Sequence, residues 1–128
     1  MDAAIQHVTD HGAVNMATAI RYTAVFESAG MAPPQELHRG GEGDLVTAFM
    51  KAFHDRCAAR QLPPLDSLVV HVAGLREGHP GAGYFKVNGY VDPFGEGGSA
   101  AEVARAGAFW KAQQAAVKAW GVTYRRSH

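Results

Sequence analysis

The chain is short of several things, and each shortage excludes something. It has one cysteine, Cys57, so no disulfide can form within it, and a reducing, cytoplasmic home is the expectation. No apolar run approaches the roughly 18 residues of a membrane span. The opening MDAAIQHVTDHG has neither a basic start nor an apolar stretch, so it does not read as a secretory signal. There is no excess charge of either sign: 12 basic residues face 12 acidic ones, which argues against a strongly electrostatic nucleic-acid or membrane binder. No repeat, low-complexity tract or spaced metal motif stands out.

What is present is an ordinary globular composition over 128 residues, 47% of them hydrophobic. Residues 1–128 read as a single domain. Charge is uneven along it: residues 1–43 carry two basic and five acidic groups, 44–92 five of each, and 93–128 five basic and two acidic.

The patterning predicts three helices in the first half. The first runs from Asp2 to about Asp10 and is stopped by Gly12. The second runs from Met16 to Ala29, with Asn15 as N-cap and Gly30 as stop. After the proline- and glycine-rich MAPPQELHRGGEG, the third runs from Asp44 to Arg60. Its apolar residues Leu45, Val46, Phe49, Met50, Phe53 and Cys57 fall on one face, with Lys51, His54 and Asp55 opposite.

Beyond Leu62-Pro63-Pro64 the period changes. Ser67 to Val72 reads as a strand, Gly74 to Gly83 as a long turn, and Tyr84 to Val87 as a second strand ending at Asn88-Gly89. Together they predict a β-hairpin with a long tip. Residues 94–98 read as a hinge to a C-terminal helix over 99–120, opened by the capping box Ser99-Ala100-Ala101-Glu102 and closed by Gly121. Its stripe holds Val103, Ala106, Phe109, Trp110, Val117 and Trp120, with Gln113 as a polar intruder.

This order resembles a winged helix-turn-helix domain: an α/β chain of three N-terminal helices, a two-stranded β wing and a C-terminal helix. The pieces that carry it are Leu62-Pro63-Pro64-Leu65, Leu68-Val69-Val70 and Pro80-Gly81-Ala82-Gly83-Tyr84-Phe85, which look like small bacterial winged-helix-like domains of unassigned role. A more distant likeness is to the DNA-binding half of the alkylguanine alkyltransferases. Their acceptor cysteine has no counterpart here, because Pro63 is followed by Pro64-Leu65-Asp66. About fourteen residues separate the second and third helices, where a helix-turn-helix uses 3–4.

What the resemblance implies is a non-catalytic bacterial or mobile-element module that binds DNA. Lys51, His54 and Arg56 would be the helix contacts, and Arg76, His79 and Lys86 the wing contacts. The alternative is a protein-interaction module: a small inhibitor, immunity or adaptor protein. In that reading Phe109, Trp110, Gln113, Val117 and Trp120 serve a partner or a homodimer, or equally this chain's own core. A third reading is a small-molecule sensor with a pocket lined by Phe85, Trp110 and Trp120.

No enzyme, cofactor or metal is expected. His7 and His11, at i and i+4, read as solvated or structural histidines, and Cys57 as a core thiol. GHPGAG at 78–83 lacks the Lys-Ser/Thr of a phosphate loop and reads as a turn.

Overall fold

A computed structural model describes residues 1–15, 20–32, 43–71 and 75–127. Helix α1 (Asp2–Val8) continues into a wide π-type turn, Thr9–Ala13. Strand β1 (Ile20–Arg21) leads directly into α2 (Tyr22–Ser28). Helix α3 (Gly43–Ala59) is followed by a 3-10 turn, Leu65–Leu68, and strand β2 (Val69–Val70). Then come the short α4 (Ala82–Val87) and the long α5 (Ala100–Ser127).

The chain is thus mostly helical, with a two-stranded parallel sheet in which Ile20 faces Val69 and Arg21 faces Val70. The expected α/β class holds at that level. The third helix and the capping box are as predicted: Ser99 N–H donates to Glu102 Oε1 and Glu102 N–H to Ser99 Oγ, both at 3.1 Å.

Four expectations are corrected. The first concerns the wing. Tyr84–Val87 is helix, so the second strand does not form, and Val69–Val70 pairs with Ile20–Arg21 instead. Asn88-Gly89, the apparent strand end, is a helix cap of the Schellman type. Gly89 takes φ 79°, its N–H donates to Lys86 O, and Tyr90 N–H reaches back to Phe85 O. Tyr and Phe are neutral enough in propensity that this cap and the burial of Tyr84 and Phe85 decide for helix.

The second correction is the start of the second helix. It begins at Tyr22, because Ile20–Arg21 is extended and hydrogen-bonded to β2; residues 16–19 of the expected helix lie outside the described residues. Third, Gly12 does not end the first helical segment. The chain winds through it to Ala13, and the Lys118 ammonium donates to Gly12 O (2.9 Å) and Asn15 O (3.2 Å), taking up carbonyls the helix end leaves over.

The fourth is Gly121, expected as a stop. It is buried inside α5 against the Ala13 backbone, where any β-carbon would overlap the Ala13 carbonyl. Glycine is there for close approach, and the helix runs on to Ser127.

Two clusters make the core. The larger joins Ile5, Val8, Val25, Phe26, Phe53, Leu65, Val69 and Val117. The smaller joins Val70, Tyr84, Phe85, Ala106 and Trp110, and is tied to the first through Trp110 Nε1–H, which donates to Ser67 O at 2.8 Å. Burying these side chains contributes most of the stabilisation, at roughly 25 cal/mol per Å² of apolar surface.

Candidate functional site

A cavity of about 600 Å³ opens between β1–α2, α3, β2 and α4. Pocket sizes for small ligands run from roughly 300 to 1,000 Å³. Local sequence explains its walls. Helix α3 turns Val46, Thr47, Met50 and Lys51 toward it, four residues within two turns. Strand β2 supplies Val70, and the residues after it supply His71 and Arg76. Residues 78–79 fold back beside His71: His71 N–H donates to His79 O (2.9 Å) and Gly78 N–H to His71 O (2.8 Å). Pro80 is fully buried and precedes α4, whose cap Gly81 donates its N–H to Tyr22 Oη at 2.8 Å. Helix α4 adds Tyr84, Lys86 and Val87.

Asp66, from the 3-10 turn, faces this cavity and is only 3% exposed. Its Oδ2 accepts from His54 Nδ1–H at 2.9 Å, while Oδ1 has no hydrogen-bond partner among the described residues. The Tyr84 hydroxyl, also buried, has none either. The bond to Asp66 raises the His54 pKa above its ordinary 6.5 against the opposing pull of burial.

Burial and then the negative charge of Asp66 push the Tyr84 hydroxyl far up and the Cys57 thiol to about 12. Burial also lifts Tyr22 to about 12. Cys57 is therefore a neutral, buried thiol, as expected.

The residues singled out from sequence divide between two places. Lys51, Arg76 and Lys86 line the cavity, joined by Arg21, which the sequence reading did not select. Lys51 is paired with Asp55 at 2.8 Å, and Arg76 grips Asp92 through both guanidinium nitrogens while lying over the Phe94 ring. The other three are engaged elsewhere. His54 holds Asp66, Arg56 pairs with Asp2 at 3.0 Å, and His79 packs between Phe94 and Trp110, its Nδ1–H donating to Glu77 O.

No protein-family model, curated protein or solved structure matches the chain. Its functional reading therefore rests on its own geometry.

Of the residues read as a partner surface, Trp110 and Val117 are buried in this chain's core. Phe109 stacks on Tyr90 at 4.3 Å, Trp120 stacks on Tyr124 at 4.9 Å, and Gln113 is half-buried. The pocket expected beside Phe85, Trp110 and Trp120 is instead packed side chain, and the cavity lies with Tyr22, Asp66 and Tyr84. His7 and His11 stack at 4.5 Å, and no group of three or more metal-ligating side chains gathers among the described residues. Among the described residues, none of the helices is long and apolar enough to cross a membrane.

Arg21, Asp66 and Tyr84 line the cavity without being marked by the sequence patterning. Asp66 sits in an apolar run, Leu65-Asp66-Ser67-Leu68-Val69-Val70, and a lone carboxylate in such a run is the signal that could have found it.

Proposed function

We propose that this protein is a cytoplasmic, non-catalytic small-ligand-binding module whose site is the cleft between α2, α3 and α4. The observation that carries the reading is a cavity of about 600 Å³ whose lining joins the apolar side chains of Val46, Met50, Val70 and Val87 to the cationic side chains of Arg21 and Lys86. A largely apolar pocket of this size with a few polar groups is what a small-ligand site presents.

The test blocks the cleft without touching the core. Thr47 lines it yet is solvent-exposed, so Thr47→Trp fills the space at little cost in folding. Ligand-observed NMR against a panel of small amphipathic anions is expected to give hits for the wild type that Thr47→Trp loses. Hits unaffected by Thr47→Trp, or none at all, remove the reading.

A second reading, contact with DNA, draws on one observation: Arg21, Lys51, Arg76 and Lys86 surround a single opening. Duplex binding that weakens steeply as salt rises above ~50 mM supports it. A flat salt response removes it. Binding through a homodimer or protein partner has no comparable feature behind it.

A further inference from the structure

Apolar surface and charge are sorted by exposure in the cleft. Its aliphatic side chains are buried or half-buried: Val46 and Met50 from α3, Val70 from β2 and Val87 from α4. The acidic and phenolic side chains beside them have little to offer a ligand. Tyr22 Oη already accepts from Gly81 N–H at 2.8 Å, and one Asp66 oxygen accepts from His54. The other Asp66 oxygen and the Tyr84 hydroxyl are covered from solvent. The rings are engaged too: Tyr22 lies 4.7 Å from His71, and Tyr84 stands edge-on to Phe85 at 5.2 Å. A polar body placed here would give up water without recovering hydrogen bonds from these groups, so hydrocarbon is favoured. Met50, unbranched and adaptable, suits a flexible chain better than a rigid ring.

Charge stands at the exposed end. The lining carries four basic side chains, Arg21, Lys51, Arg76 and Lys86, against one acidic, Asp66. Lys51 and Arg76 are paired with Asp55 and Asp92, neither of which lines the cleft. Arg21 and Lys86 are exposed and form no ion pair among the described residues, so their charge is available where the cleft meets water.

Resting on the cleft being a ligand site, we propose that its ligand is a saturated alkyl chain ended by one anionic group, a carboxylate or a phosphate ester. The chain lies along Val46, Met50, Val70 and Val87, and the anion stays beside Arg21 and Lys86, within reach of water. Binding is reversible, and no covalent bond is made or broken.

The test is calorimetric titration of the full chain, below micelle-forming concentrations, with hexanoate, octanoate, decanoate and decyl phosphate. Decanol, decyltrimethylammonium and naphthoate are the comparisons. Affinity should rise about fourfold for each methylene added from hexanoate to decanoate. Decanol and decyltrimethylammonium should bind at least about fivefold more weakly than the better of the two ten-carbon anions. Arg21→Gln and Lys86→Gln change exposed side chains outside the core. Each should weaken decanoate binding about threefold at low salt and flatten its salt dependence.

The ligand class is overturned if affinity does not grow with chain length, if decanol or decyltrimethylammonium binds as tightly as the better anion, or if naphthoate binds more tightly than it. Any of those results, with the binding abolished by Thr47→Trp, still leaves the cleft a ligand site. No binding by any compound, or binding that Thr47→Trp leaves unchanged, overturns both readings.

Discussion

Asp92 and Asp66 are both largely withdrawn from water, and the chain treats them oppositely. Asp92 accepts two bonds from Arg76 and a third from the Phe94 backbone N–H, and this holds its carboxyl below the usual range. Asp66 accepts one, from His54, and its other oxygen, buried, has no partner among the described residues. A fully satisfied carboxylate stabilises a loop. One left half-satisfied costs stability, which selection tolerates where something else is to be held.

The sharpest way to break this comparison is Asp92→Ala. It strands the Arg76 guanidinium, which is only 23% exposed, and is expected to cost about 2 kcal/mol by urea denaturation. Next in size is Tyr84→Phe, which should raise the stability of the unliganded protein by about 1 kcal/mol, because a buried hydroxyl without a partner is a cost. A drop instead would mean the hydroxyl is already bonded.

A smaller effect is expected from pH. The His54 pKa is raised in the fold, so the stabilisation from its pairing with Asp66 is complete below the ordinary value of 6.5 and fades as pH climbs through the raised one. The urea midpoint of the wild type should therefore fall more between about pH 6 and 9 than that of His54→Gln. The smallest change is Asp2→Asn, which removes an exposed pair with Arg56 and Arg60 and should leave the melting temperature where it was.

Local signals were legible where they act alone. Ser99 and Glu102 cap one another as their spacing demands, and the apolar face from Val46 to Cys57 specifies α3. Signals that serve two structures were not. Asn88-Gly89 ends a strand or caps a helix equally well, and only the packing of Tyr84 and Phe85 selects the cap. Gly121 reads as a stop until the Ala13 backbone is known to press against it. Ile20–Arg21 looks helical because its pairing partner is about fifty residues away in sequence. The cleft is half legible: Lys51, Arg76 and Lys86 stand out by charge, while Arg21 does not, Asp66 is hidden in an apolar run and Tyr84 in a strand-like pattern.

The seam between Gly121 and Ala13 also bears on how the molecule is made. Val117 completes the larger core and Lys118 takes carbonyls at the end of the first helical segment, so that segment's packing depends on residues 117–121, over a hundred residues away. The first helical segment therefore reaches its final packing only with the far end of the chain in place.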